Sequence, residues 1–259
     1  MARSRSTSGH FEEFLAVVRR LRKDCPWDRE QTHESIRHSL IEETYEVVEA
    51  IDRRNPEELK SELGDLLLHV ALHSVIAEES REFSLEDVLA AETSKLIRRH
   101  PHVFGDVKVT SAKDVKANWE KIKLKEGRSS ALDGVPRELP ALLRAFRIQE
   151  KASKVGFDWA GKEDVWKKVT EELGEFRSAE EDATTSAIEE EFGDLLFSLV
   201  NYARFLSVNP ELALRKTAEK FERRFRKVEI ELRKKGKTPE EASMEEMDLL
   251  WNAEKAARR

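Results

Sequence analysis

Glu172 and Glu175 stand three residues apart in EELGE, and Glu191 and Asp194 repeat that spacing in EFGDLLF. Side chains three apart on a helix share a face. Hydrophobic periodicity predicts helices over Asp164–Glu180 and Ser186–Phe205, so each presents two carboxylates in one direction. The short gap between them favours an antiparallel hairpin, which brings the two pairs together. Four carboxylates at one place repel one another unless their pKa values rise or a cation neutralises them. Hard oxygen donors of this kind suit Mg2+, with Mn2+ as an alternative. The same words occur earlier, as Glu43 with Glu46 and Glu62 with Asp65, and one constant offset relates all four positions to their later counterparts. Acidic residues also coat the polar faces of ordinary helices, so a lone E-x-x-E carries little. A doubled set in matched register carries much more.

The elements that must hold these groups read as helices throughout. Phe11–Lys23 is amphipathic and stops near Pro26. CPWD follows, with Thr32 as a candidate cap for a helix over His33–Arg53. Asn55-Pro56 breaks that helix, and Glu58–Glu79 carries Glu62 and Asp65. Its centre, LLLHVALHSVI, is apolar around much of its circumference, which suggests burial on several sides, in a bundle or at a dimer interface. Ser84 caps a helix to Arg99, with Glu86 and Asp87 in its first turn. HPHVFGD reads as a turn or short connector. His100 and His102 do not make a zinc motif there, and His33, His38, His69 and His73 lack one too. His69 and His73 share a largely apolar face, which fits packing rather than metal binding.

A further helix is expected over Ser111–Lys125. EGRSSALDGVPRELP then has glycine, proline and serine without periodicity and marks a junction between Gly127 and Pro136. The expected domains are residues 1–130 and 131–259. Pro140 fits the first turn of a helix reaching Lys154. VGFDWAG introduces the helix of Glu172 and Glu175, much as CPWD precedes its counterpart. Asn209-Pro210 opens a long helix to Lys235, on which Lys220 and Arg224 lie four apart. A final helix after Thr238 contains Trp251. Strand-like alternation is hardly present, so the expected fold class is all-α.

Composition excludes other classes. Charged residues make up 38% of the 259 residues and the net charge is −6, which argues against a general coat for nucleic-acid polymers, although a local basic pocket remains open. The single cysteine, Cys25, rules out an intrachain disulfide framework and suits a cytoplasmic location. MARSRSTSGH is basic and serine-rich with no apolar stretch after it, so a signal peptide is not expected. No apolar run is long enough for a membrane span.

CPWD, LIEETYEVVEAI and SELGDLLLHVALH in the first half, with KVGFDW, EELGEF, EEEFGDLLFSLVNYAR and KFERRF in the second, resemble the MazG nucleoside triphosphate pyrophosphohydrolases in their two-domain form. The similarity runs from the first helix to Trp251. It implies tandem helical-bundle domains, Mg2+ dependence, a homodimer, and hydrolysis of nucleoside triphosphates to monophosphate and pyrophosphate. The family's functional residues correspond to Glu172, Glu175, Glu191, Asp194, Lys220, Arg224 and Trp251. Lys220 and Arg224 would meet phosphate oxygens, and Trp251 would stack on a base, a contact that tolerates every base. Glu172 or Glu175 is a candidate general base. Asn201, seven residues past Asp194, would bond sugar or water, and Lys168 is a further candidate nucleotide contact. The first half has Leu72 where the second has Asn201, so the second domain is the expected catalytic one. Two rival readings stay open: a non-catalytic helical interaction protein, and a related enzyme specific for dUTP or phosphoribosyl-ATP.

Overall fold

In the computed structural model, residues 6–111, 114–115, 118–119, 122, 130–182 and 184–256 are described. All regular structure among them is helical. The chain divides into two compact units, Met1–Trp119 and Glu120–Arg259. Most of the helix expected over Ser111–Lys125, and residues 127–129 of the expected junction, lie outside the described residues.

The first unit contains α1 (Thr7–Asp24), α2 (Pro26–Glu30), α3 (Arg37–Arg53), α4 (Pro56–Glu79), α5 (Leu85–Arg99) and the single turn α6 (Pro101–Phe104). The α3–α4 hairpin is its largest packing interface, and α1 lies against α4. The reversal between α3 and α4 is local in origin. Arg54 takes a left-handed conformation at φ 54°, and the Asn55 side chain accepts from the amides of Glu57 and Glu58 at 3.2 and 3.4 Å. Pro56 occupies the first turn, where its missing N–H has no helical partner to lose. Val18 from α1, Ile36, and Ala71, Leu72, Val75 and Ile76 from α4 form the core. Pro26–Glu30, which begins within CPWD, is a short helix, and HPHVFGD contains a single helical turn, Pro101–Phe104. Thr32 sits in the turn before α3, where its hydroxyl accepts from the Ser35 amide; Ile36 is the residue at the cap position. Ser84 caps α5 as expected, in a reciprocal box with Asp87.

The second unit contains α7 (Ala141–Lys154), α8 (Lys162–Asp182), α9 (Thr185–Phe205), α10 (Pro210–Lys234), a 3-10 turn at Pro239–Glu241 and α11 (Met244–Ala256). Pro140 stands just before α7, at its cap position, rather than inside the first turn. α8 and α9 form the antiparallel hairpin, α7 packs on α9 and α10, and α11 packs on α10. Asn209 repeats the device of Asn55: its side chain accepts from the Leu212 amide at 3.1 Å, ahead of Pro210. Val165, Val169, Val200, Val228 and Leu232 are buried here. Lys151 is buried too and donates to the Asp133 carbonyl at 2.8 Å, which ties the segment before α7 into this unit.

Candidate active site

The α8–α9 hairpin brings Glu172, Glu175 and Glu191 together, with one carboxylate oxygen from each inside a mutual distance of 4.8 Å. The α3–α4 hairpin does the same with Glu43, Glu46 and Glu62. Those two glutamate groups are the candidate metal centres among the described residues, and neither includes a histidine. The fourth acid of each word stands beside its triad. Asp65 acts on Glu43 and Glu62 by charge, and Asp194 shares a cavity wall with Glu172.

Electrostatics agree with cation binding. Partial desolvation raises the pKa values of Glu43, Glu62 and Glu175, and the neighbouring carboxylates raise them further. These groups are held at close range in spite of mutual repulsion. Hard carboxylate oxygens at this spacing fit a divalent ion with oxygen preference. Glu172 is only 6% exposed, yet it is compensated: the Lys168 ammonium lies 2.7 Å from its carboxylate and 2.6 Å from that of Glu171. Bonding to both acids raises the Lys168 pKa, so the ammonium is charged at neutral pH. The first unit has Ser39 in the corresponding position.

Beside the second triad opens a cavity of about 700 Å3. Lys168, Glu172 and Asp194 stand on its wall, and so does Asn201. Its size suits a nucleotide-sized ligand. Phe157, Trp159 and Phe197 supply apolar and aromatic wall surface. Gly156 makes the turn that leads into this wall, at φ 92°.

Lys220, Arg224 and Trp251 are not among the residues lining that cavity. Arg224 and Trp251 meet where α10 packs on α11, and Lys220 lies one turn before Arg224 on α10. The Arg224 guanidinium lies 5.6 Å from the Trp251 ring centroid, and Phe221 packs on the same indole at 5.1 Å. Lys220 is exposed and Arg224 half-buried.

Sequence reasoning missed the polar lining next to Asn201. Arg204 donates to the Asn201 side-chain oxygen from Nε at 3.1 Å and from Nη2 at 3.0 Å. Its Nη1 reaches Asp158 at 3.0 Å, and Nη2 meets the other Asp158 oxygen. The signal was available: Asp158 lies in VGFDWAG and Arg204 in EEEFGDLLFSLVNYAR. An arginine inside an apolar run needs a partner when it packs.

Comparison with known proteins fits this geometry. The MazG nucleotide pyrophosphohydrolase domain matches residues 31–104 and 161–229, one stretch around each acidic cluster. The chain is 48% identical over 250 residues to the nucleoside triphosphate pyrophosphohydrolase/pyrophosphatase MazG of Thermotoga maritima, covering 95% of both. It is 43% identical to the nucleoside triphosphate pyrophosphohydrolase of Escherichia coli, covering 93% of this chain and 95% of that one. An uncharacterised Bacillus subtilis protein, YabN, is 47% identical over 96% of this chain and 52% of its own length. The chain therefore belongs to the MazG nucleotide pyrophosphohydrolase family, with two MazG domains in tandem. It is an all-α enzyme of pyrophosphohydrolase type.

Proposed function

We propose that this enzyme hydrolyses nucleoside triphosphates to monophosphate and pyrophosphate, with Mg2+ and a broad base range, mainly in the second domain. The observation that carries the reading is the Glu172–Glu175–Glu191 cluster, compensated by Lys168, beside a nucleotide-sized cavity. Glu172, Glu175, Glu191 and Asp194 would hold Mg2+, with Mn2+ as a substitute, and Glu43, Glu46, Glu62 and Asp65 would hold it in the first domain. When bound, the ion supplies positive charge that polarises the phosphoryl group and its attacking water. Glu172 and Glu175 are the two candidates for the base that takes the proton of the attacking water, in place of holding the ion. Lys168 offsets phosphate charge from the cavity wall. In-line attack at the α-phosphorus then releases pyrophosphate. Trp159 and Phe157 offer apolar surface to any base, which favours a broad range over specificity for one.

Assembly supports the same reading. On α9, Phe192, Leu196 and Leu199 form an exposed apolar stripe at helical spacing; on α4, Leu63, Leu67 and Val70 form another at the matching positions of the first copy. Gly64, Gly174 and Gly193 lie inside helices, yet an added Cβ would meet nothing within 4 Å. Interior glycine costs a helix about 1 kcal/mol relative to alanine. An approach from outside the single chain explains both features, and we assign it to a homodimer. Lys220, Arg224 and Trp251 are assigned to phosphate and base contact, completing the site from the second copy.

We place the domain boundary at 130/131, supported by Leu132 on the cavity wall and by the Lys151 bond to Asp133. No helix among the described residues is long and apolar enough to cross a membrane. The lone cysteine supports a cytoplasmic enzyme serving nucleotide-pool cleansing or control of signalling nucleotides. Incubation with several nucleoside triphosphates and Mg2+, followed by product separation, tests the reaction. Monophosphate and pyrophosphate are expected in equal amounts. Diphosphate and phosphate would overturn the assigned bond, and no turnover with any nucleotide would return the protein to the non-catalytic reading.

A further inference from the structure

The structure assigns Arg204 and Asp158 as positioning residues that fix Asn201 as a hydrogen-bond donor to the nucleoside end of the substrate. The inference rests on the nucleotide reading of the cavity and deepens it. An arginine side chain has only donors. Two of its N–H groups converge on one atom of the Asn201 amide, at 3.1 and 3.0 Å, so that atom is the oxygen. The amide nitrogen, with both its N–H groups, is left facing away from the guanidinium on a residue that lines the cavity. Asp158 keeps the fork in place from the other side, at 3.0 Å from Nη1, on an arginine side chain only 14% exposed. A planar guanidinium held between a carboxylate and an amide oxygen has little freedom to turn. The amide therefore cannot flip to offer its oxygen without placing N–H against N–H.

Place along the helix decides which part of the substrate Asn201 meets. Asn201 is seven residues beyond Asp194 on α9, a separation of about 10 Å at 1.5 Å per residue. That is too far for a phosphate bound at the carboxylates and falls instead at the sugar or the base. Both carry oxygen or nitrogen acceptors, and every common base has at least one. A donor-only contact thus suits recognition of many nucleotides, and it rejects a ligand with no acceptor there. The first unit has no counterpart: Leu72 and Val75 stand at the positions matching Asn201 and Arg204, both buried in its apolar core. That unit can gather carboxylates but cannot build this contact.

The test uses the full-length protein, nucleotide binding read by a non-hydrolysable triphosphate analogue, and turnover read by pyrophosphate release. Asn201→Asp keeps the shape and the Arg204 bonds but replaces the donor with an acceptor. Its melting temperature should match or exceed that of the parent, while KM and analogue Kd rise about tenfold or more, as expected for losing a hydrogen bond and opposing two acceptors. Arg204→Lys should raise KM about tenfold with kcat nearly unchanged, and should have no further effect on KM once Asn201→Ala is present. A purely structural arginine would instead show the same loss in both backgrounds together with a lowered melting temperature, and that result overturns the assignment. So does parent-like binding by Asn201→Asp. Dideoxy substrates test the sugar hydroxyls as the acceptor: loss of the Asn201 effect with them places the acceptor on a hydroxyl, and retention places it on the base or the ring oxygen. Should the parent protein neither bind nor turn over any nucleotide, the cavity reading fails first, and this assignment falls with it. Turnover by the parent with no change in either variant condemns this assignment alone.

Discussion

Glu172 and Glu175 are one helical turn apart, yet their surroundings differ. Glu172 is buried against the Lys168 ammonium, whereas Glu175 is exposed and has a raised pKa. The first is held by an ammonium and the second stands open to solvent. Spacing alone showed the four acids but not this division, because it depends on a lysine one turn earlier and on depth in the bundle. The division leads to a bond-level prediction. If a water beside Glu175 attacks the α-phosphorus, hydrolysis in 18O-water should place the label in the monophosphate. Label in pyrophosphate would mean attack at the β-phosphorus and a different placement of substrate over the acids.

At the scale of elements, the two hairpins were legible because their signals are local: periodicity of 3.6, asparagine-proline at helix starts, and an acidic register that the second half repeats. Less legible were features set by packing. The histidines of α4 are an example. His33 and His73 stack at 5.0 Å with their Nδ1 atoms 2.7 Å apart, and one of the two must donate. His73 Nε2 and His69 Nδ1 are buried without hydrogen-bond partners. Burial lowers the pKa of both His69 and His73, and the adjacent histidines add to it for His73. The fold thus favours the neutral rings. Their contribution to stability is complete above the ordinary histidine pKa of about 6.5 and is lost as pH falls through the lowered folded value. Acidification from pH 7 to pH 5 should lower the melting temperature, and His73→Gln should make that drop smaller. An identical drop in the variant would show that acid sensitivity resides elsewhere.

For the whole molecule, the most informative contrast lies between the two copies. Both gather three glutamates, but where the second has Lys168, Asn201 and Arg204 on a cavity wall the first has Ser39, Leu72 and Val75. The sequence showed Leu72 against Asn201; it did not show that Leu72 and Val75 serve the core of the first unit, because burial is a property of the assembled helices. It also placed Lys220, Arg224 and Trp251 in the active site, and these stand outside the cavity of the single chain. The proposed homodimer would reconcile the two and can be tested by mixing. Sedimentation should give about twice the 29.9 kDa chain mass. Lys220→Ala/Arg224→Ala and Glu172→Gln/Glu175→Gln proteins, each inactive alone, should regain activity when their subunits are exchanged, because some mixed dimers then contain one intact site. A monomer, or mixtures with no recovery, would place those cations in the site of their own chain or outside catalysis.

The central claim is that the second acidic cluster cleaves the triphosphate, and paired charge-removing variants test it most directly. Glu172→Gln/Glu175→Gln and Glu43→Gln/Glu46→Gln remove the same charges at nearly constant volume, so both should fold and both should lose repulsion. With helicity and mass confirmed, pyrophosphate release is measured for each with Mg2+. The second-domain variant should lose about 100-fold or more, since cation holding and charge stabilisation fail together, and the first-domain variant should keep at least about half, because Ser39 and Leu72 stand there in place of Lys168 and Asn201. Reversed losses, or full activity in both, would contradict the account.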